Sequence, residues 1–402
     1  MNLLFLTMVN IQKITERGIY QDLLREFVKN GHSVTVVSPA ERRLGEQTRA
    51  LYDGSGCKVL RVKTGNLQKT KFVEKSISTL MLEWQFKAAI EKYLSNEKFD
   101  LILYSTPPIT LYEAIKWAKH RNSAKAYLLL KDIFPQNAVD LGLFSNKGII
   151  CKYLRTKEKK LYALSDYIGC MSQANMNFLL RHNPDVPAGK VHILPNCIEP
   201  LATVPDDKDK AEVRRIHCIP EQATIYVYGG NLGKSQAIPF LVECLRQNQH
   251  KSDRYFIICG KGTDRYILER YIAEERPENV KLMDELPKDD YDKLLCACDV
   301  GLIFLDKHFT IPNFPSRLLT YMENKMPIIA ATDVNTDLGE VIVNGSFGWW
   351  CESRNAGDFT QIIDSVSAES IQQMGNNAYQ YLLEHYTVGK GYKDMMLKLG
   401  GS

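Results

Sequence analysis

The segment Gly229-Gly230-Asn231-Leu232-Gly233-Lys234-Ser235-Gln236 puts three glycines and a lysine between an apolar run that reads as a strand and a helical repeat at Ile238, Leu241, Val242 and Leu245. Glycines let a backbone approach a ligand, a helix start presents free N–H groups, and an ammonium adds a full positive charge. The segment can hold a phosphate or be an ordinary turn; it is neither a Walker A loop nor G-x-G-x-x-G. A second segment, Asn313-Phe314-Pro315-Ser316-Arg317-Leu318-Leu319-Thr320-Tyr321-Met322, offers a proline suited to a first helical turn, the Ser316 hydroxyl and the Arg317 fork, which can grip a pyrophosphate bidentately. Its plainer reading is a capped helix with a surface arginine. Gly260-Lys261-Gly262 is a third turn, again after a strand ending at Cys259. Asp206-Asp207 and Asp289-Asp290 lie in acidic surface stretches rather than in an Asp-x-Asp metal loop, and Cys296 and Cys298 lack partner ligands, so no metal site is expected.

The elements that must position these residues alternate. Leu3–Val9, Ser33–Ser38, Leu101–Tyr104, Ala126–Leu130, Ile168–Met171 and Val191–Leu194 read as strands, with helical spacing at Ile19, Leu23, Leu24, Phe27 and Val28 and again over Leu111–His120. Pro200, Pro205, Asp206, Asp207, Lys208, Asp209 and Lys210 form a linker candidate. The alternation restarts with strands at Ile225–Tyr228, Tyr255–Ile258, Val280–Leu282, Val300–Phe304 and Pro327–Ala330. This predicts an α/β chain of two doubly wound parallel-sheet domains, residues 1–195 and 215–370, with ligands at the carboxyl ends of the strands and a cleft between the domains.

Composition agrees with two ordinary cores: 402 residues, 45% hydrophobic and 24% charged. Lys plus Arg outnumber Asp plus Glu by 29 to 18 in residues 1–200 and fall short by 22 to 29 in residues 201–402. A basic half suits nucleic acid, an anionic membrane face or a phosphate-bearing substrate, or is simply an uneven solvated surface. The ten cysteines are scattered and often sit in apolar runs, as reduced core residues do. No basic leader precedes Met1–Leu6 and no apolar run reaches membrane-spanning length, so a cytoplasmic protein is expected. Gly400-Gly401-Ser402 is set aside as a terminal remnant. Lys69, Lys71, Lys75 and Lys87 accompany Phe72, Leu80, Met81, Leu82, Trp84 and Phe86. That stretch reads either as a surface lying on anionic lipid, at the inner face of the plasma membrane, or as a buried helix with solvated lysines.

Taken together, the three segments resemble the nucleotide-sugar domain of GT-B glycosyltransferases of family 4, especially bacterial members that build O-antigen, capsule or exopolysaccharide. Over nearly the whole chain, the opening strand and loop to Gly18-Ile19-Tyr20 look like the family's acceptor-side start. Lys131-Asp132-Ile133-Phe134-Pro135-Gln136 resembles the Asp-aromatic-Pro segment of the branch that transfers aminosugars such as N-acetyl-fucosamine, and Pro195-Asn196-Cys197-Ile198-Glu199 resembles the Pro-Asn-Gly interdomain segment, with Cys197 for glycine. Where many members carry two glutamates, Pro312 and Thr320 stand here, and Asn231 replaces the usual arginine.

The resemblance implies a retaining, metal-independent, cofactor-free transfer of the hexosyltransferase type. The sugar, an N-acetylated deoxyhexosamine by branch, would pass from a UDP-linked donor to a lipid-pyrophosphate-linked saccharide, with no nucleic acid involved. It places donor contacts at Gly229, Gly230, Asn231, Gly233, Lys234, Gly260, Gly262, Leu286, Pro315, Ser316, Arg317 and Thr320, and acceptor contacts at Arg17, Gly18 and Lys131. Lys234 and Arg317 would take the leaving-group charge. Asp132 would orient the acceptor or bind the sugar, or else cap the helix near Pro135. Residues 371–399 are expected to pack back on the first domain. A catalytically silent GT-B subunit and a nucleotide-sugar 2-epimerase remain alternative readings.

Overall fold

The computed structural model describes residues 1–67, 70, 72–201 and 207–400. Lys69, Lys71, Pro205, Asp206, Gly401 and Ser402 therefore lie outside the described residues, as do the side chains of Phe72, Lys75, Asp207, Lys208 and Asp209. The chain divides into two compact units, Met1–Glu199 with Val388–Ser402, and Pro200–Thr387.

In the first unit the order is β1 (Asn2–Leu6), α1 (Ile19–Lys29), β2 (Ser33–Glu41), β3 (Arg49–Tyr52), β4 (Lys58–Thr64), α2 (Phe72–Tyr93), β5 (Leu101–Thr106), α3 (Tyr112–Asn122), β6 (Lys125–Leu130), α4 (Gln136–Asp140), α5 (Ile149–Leu164), β7 (Tyr167–Cys170), α6 (Gln173–His182) and β8 (Val191–Ile193). Its sheet runs β3-β4-β2-β1-β5-β6-β7-β8. The inner strands are largely apolar because helices cover both faces, and β5 is buried at every position, Ser105 and Thr106 at its end included. Two strands escape the apolar pattern. β4 carries Arg61, only 1% exposed, whose guanidinium donates to the Ser38 hydroxyl at 2.7 Å and to the Ile11 carbonyl at 3.2 Å. β3 is an exposed antiparallel edge strand.

The second unit continues with α7 (Asp207–Ile216), β9 (Thr224–Asn231), α8 (Ile238–Asn248), β10 (Arg254–Lys261), α9 (Arg265–Glu275), β11 (Val280–Met283), α10 (Lys288–Cys296), β12 (Val300–Phe304), α11 (Arg317–Glu323), β13 (Ile328–Thr332), α12 (Leu338–Asn344), β14 (Gly348–Glu352), α13 (Ala356–Asp364) and α14 (Ala368–His385). Its six strands are all parallel in the order β11-β10-β9-β12-β13-β14. The core gathers Tyr226, Tyr228, Phe256, Ile258 and Phe304 from the sheet against Leu241, Leu245 and Phe359 from the helices.

The last helix, α15 (Val388–Leu399), belongs to the first unit. Its Tyr392 ring meets Phe27 of α1 edge-on at 5.0 Å and bonds His32 at 2.8 Å, and Met395 is fully buried in that unit's core. The return therefore starts at Val388, not Ile371, because α14 stays in the second unit with Gly375 closely packed against the Lys325 carbonyl. Likewise α7, inside the expected linker, belongs to the second unit: the Arg214 guanidinium donates to the Ala297 carbonyl at 3.0 Å and pairs with Asp299 at 2.8 Å.

Candidate active site

Chain order in the second sheet reverses between β9 and β12, and such a switch point is where open α/β sheets bind ligands. The two strands pair at Tyr226–Val300 and Val227–Gly301 and part beyond. Tyr321 of α11 fills the split. Its hydroxyl accepts the Gly229 N–H at 3.3 Å and shares its proton between the carbonyls of Leu302 (3.2 Å) and Val227 (3.3 Å). A Cβ on Gly301 would lie 2.4 Å from the Tyr321 ring, so the glycine permits this close seat.

The glycine-rich segment differs from a loop running straight into a helix. Gly229, Gly230 and Asn231 are the last residues of β9, paired with Cys259, Gly260 and Lys261 of β10. A single 3-10 turn, Lys234–Gln236, then separates them from α8. Several glycines are demanded by the protein itself: a Cβ on Gly260 would sit 1.9 Å from the Gly230 carbonyl oxygen, and one on Gly262 would sit 2.2 Å from the Leu232 backbone. Gly229 packs under the Tyr291 hydroxyl. Gly230, at φ +121°, is open towards Arg317, whose Nη2 lies 3.7 Å from where a Cβ would stand. Gly233 packs beside the Asn231 side chain.

Arg317 opens α11 and is only partly exposed. Its guanidinium stacks 4.4 Å over the Tyr228 ring and donates from Nη2 to Gln236 Oε1 at 2.6 Å. Nη1 is buried without a hydrogen-bond partner among the described residues, and so is Asn313 Nδ2 in the preceding loop. Two orphaned donors on one segment are a costly arrangement unless an acceptor arrives. Ser316 is exposed and makes no capping bond, and Pro315 precedes the helix instead of occupying its first turn. Thr320 is half-buried on the same helix, and Leu286 is half-buried in the turn after β11. Lys234 is exposed on the 3-10 turn. The Ser235 carbonyl beside it accepts the Asp306 N–H at 3.1 Å, which ties this turn to the loop after β12. That loop holds a pair the sequence reading missed: Asp306 Oδ1 accepts from His308 Nδ1 at 2.7 Å. Its only signal was two polar residues following a strand end.

In the first unit, Lys131 and Asp132 follow β6 at the carboxyl edge of the sheet. Burial pushes the Asp132 carboxyl up to about 6, against the Asn137 amide and the Ile133 N–H, which pull it down. Asn137 Nδ2 donates to Oδ2 at 2.6 Å, while Oδ1 is buried with no hydrogen-bond partner among the described residues. Asp132 does not cap α4, whose N-cap is Pro135 without a side-chain bond. Burial brings the Lys131 ammonium down to about 8; its Nζ faces the Leu194 carbonyl at 3.4 Å. Arg17 Nη2 donates to the Glu199 carbonyl at 3.1 Å, and Gly18 is the N-cap of α1, with its N–H on Asp22 at 3.1 Å. Asp22 and Glu199 both pair with Arg25. Arg17 and Gly18 thus belong to a network fixing the end of the Pro195–Glu199 segment.

The ten cysteines are free, and among the described residues no three His, Cys, Asp or Glu side chains converge as a metal cluster. No helix among them is long and apolar enough to cross a membrane.

Two sequence families match consecutive parts of the chain: Glycosyltransferase Family 4 over residues 19–200 and Glycosyl transferases group 1 over residues 209–381. The chain carries both domains of a glycosyltransferase. Curated relatives of this transferase are distant. The probable glycosyltransferase WbjE of Pseudomonas aeruginosa is 21% identical over 299 residues, 72% of this chain and 71% of the relative. The putative colanic acid biosynthesis glycosyl transferase WcaI of Escherichia coli K12 is 23% identical over 313 residues, 75% and 71% of the two chains. Among solved structures, sucrose-phosphate synthase from Thermosynechococcus elongatus superimposes with a TM-score of 0.76 at 14% identity, over 98% of this chain and 97% of that one. Anabaena HepE in complex with UDP and glucose gives 0.73 at 15% identity, over 100% and 99%. The transferase therefore has the GT-B fold, two parallel-sheet α/β domains.

Proposed function

We propose that this glycosyltransferase moves a sugar from a UDP-linked donor, with retention and without a divalent cation, onto a lipid-pyrophosphate-linked saccharide in cell-surface polysaccharide synthesis. The observation that carries the donor half is Arg317, held over Tyr228 at the β9–β12 switch point with Nη1 buried and unpartnered. A diphosphate oxygen is the acceptor such a fork lacks. Charge grows on the β-phosphate as the glycosidic bond breaks, so Arg317 and Lys234 would bind the departing nucleotide more tightly than the intact donor. Gly230, open towards Arg317, would leave room for the nucleotide at the strand end, while Gly229, Gly260 and Gly262 hold the neighbouring strand ends close together. UDP is favoured because HepE was solved with UDP and glucose. WcaI is named for colanic acid biosynthesis, which favours a polysaccharide acceptor, and Asp132, with an unpartnered Oδ1, is the group we assign to the acceptor hydroxyl or the transferred sugar. An N-acetylated deoxyhexosamine is the sugar the Asp132–Pro135 segment favours.

A thermal-shift panel of UDP-, GDP- and ADP-sugars tests the donor, since ligand at 100-fold its Kd adds about 2.7 kcal/mol of stability. UDP-sugars alone should raise Tm, and turnover should persist in EDTA. A response to GDP-sugars only, or activity lost in EDTA and restored by magnesium, would overturn the corresponding part.

A further inference from the structure

Helix α2 presents two unlike faces. Leu82 and Phe86 are fully buried, whereas Ile77, Leu80, Met81 and Trp84, at i, i+3, i+4 and i+7, are 47–63% exposed. One apolar row thus faces the core and another faces solvent. Helix α5 adds Ile149, Ile150 and Tyr153, exposed by 87%, 62% and 47%. The helices are neighbours: α2 and α5 both pack on α3 and on the 3-10 turn Ile109–Leu111, and Lys157 of α5 pairs with Glu83 of α2 at 3.0 Å. Exposed apolar rows on neighbouring helices are rare on a soluble surface and mark a contact.

What covers the rows is indicated by the charge around them. Helix α5 carries Lys152, Arg155, Lys157, Lys159 and Lys160 against one acid, Glu158, which is buried and bonded to Tyr162. Three ammonium groups, Lys116, Lys157 and Lys160, converge within 5.8–5.9 Å of the Tyr112 ring on α3, and among the described residues Lys157 is the one of them paired with a carboxylate. Glu113 is the acid beside them on α3. Apolar side chains including a Trp and a Tyr, interleaved with lysines, are the chemistry of the headgroup boundary of an anionic bilayer.

We propose that the α2–α3–α5 layer of the first unit is a docking face for an anionic phospholipid bilayer, with Trp84, Ile149 and Ile150 entering the acyl boundary and Lys116 and Lys160 meeting lipid phosphates. The proposal deepens the reading of a lipid-linked acceptor. It places the enzyme on the surface in which that acceptor resides.

The test is co-sedimentation of the full chain with vesicles of phosphatidylcholine alone and of equal parts phosphatidylcholine and phosphatidylglycerol, at low and high salt. Binding is expected to the anionic vesicles, weakening with salt. Lys116→Glu/Lys160→Glu and Trp84→Ser/Ile150→Ser should each cut it by more than about tenfold, with hydrolysis of a UDP-sugar unchanged. Trp84, Ile150 and Lys160 are exposed and Lys116 is half-buried, and circular dichroism should stay native in both double variants. Absence of wild-type binding to anionic vesicles at low salt, or undiminished binding in both double variants, overturns the proposal. So does a wild-type dimer in solution that Trp84→Ser/Ile150→Ser converts to monomer, because a second copy would then cover the face. Donor binding is read separately by the thermal shift with UDP-sugars, so a failed membrane test leaves the donor assignment standing.

Discussion

Replacing Arg317 by lysine isolates the fork from the charge. In the native chain Nη2 is committed to Gln236 Oε1 at 2.6 Å, the guanidinium plane rests 4.4 Å over Tyr228, and Nη1 is buried without a hydrogen-bond partner among the described residues. A lysine keeps one positive charge and loses the plane. It can reach Gln236 or a phosphate, but not both in the same geometry. The lost stacking costs about 0.5–2 kcal/mol of stability, within what a domain of this size tolerates. The catalytic cost is larger, because an electrostatic donor aimed at developing charge is worth about 2.7–4 kcal/mol, a 10²–10³-fold fall in kcat. KM for the UDP-sugar should rise much less, since the interaction strengthens as the bond breaks. The assay is UDP release under saturating donor, with circular dichroism to confirm folding. A folded Arg317→Lys enzyme with near wild-type turnover, or one whose whole loss lies in KM, would refute the assignment of leaving-group charge to this fork.

Lys234→Ala should also lower kcat by 10²–10³ and leave Tm unchanged, because the side chain is exposed; near-native turnover would remove the 3-10 turn from the phosphate site. Asp132, at about 6 in the folded chain against an ordinary 3.8, holds a proton that the unfolded chain has already released between those values. Stability should therefore fall as pH rises from 3.8 to 6, and Asp132→Asn should abolish that fall, by at most about 3 kcal/mol. Turnover of the native enzyme should rise through pH 6 as the carboxylate forms, and a Tm–pH curve identical in native and Asn enzymes would contradict the buried carboxyl. His192 has the opposite sign. Burial, aided by Lys398, depresses it to about 4 from 6.5, so stability is complete above pH 6.5 and lost as pH falls towards 4. In His192→Gln, Tm should vary less over that window.

The central strands were legible because parallel sheets covered on both faces need apolar runs, and Leu101–Tyr104 or Val300–Phe304 can be little else. β4 was not legible, since Arg61 interrupts its apolar pattern and is satisfied by Ser38, Ile11 and Glu46, groups distant in sequence. β3 lacked a pattern because an edge strand buries little, and β14 was masked by Trp349 and Trp350, which are only half-buried. In the second unit Arg317 could be singled out from its neighbours Pro315 and Ser316. Its partners could not, because Tyr228 and Gln236 reach it from other elements across the sheet's split. The glycines showed that a backbone must come close to something, but not that Gly260 and Gly262 are already filled by the protein's own chain.

The connectivity of α15 bears on synthesis. A ribosome delivers the first unit's sheet, then all of Pro200–Thr387, and only afterwards the helix whose Met395 fills that first core. Until then the groove that takes Tyr392 and Met395, beside Phe27, stays open to water in the nascent chain. The first unit is thus begun first and finished last. Its apolar groove must stay clear of other chains while the second unit is made, and premature termination anywhere between residues 200 and 387 leaves a sheet of eight strands without its closing helix.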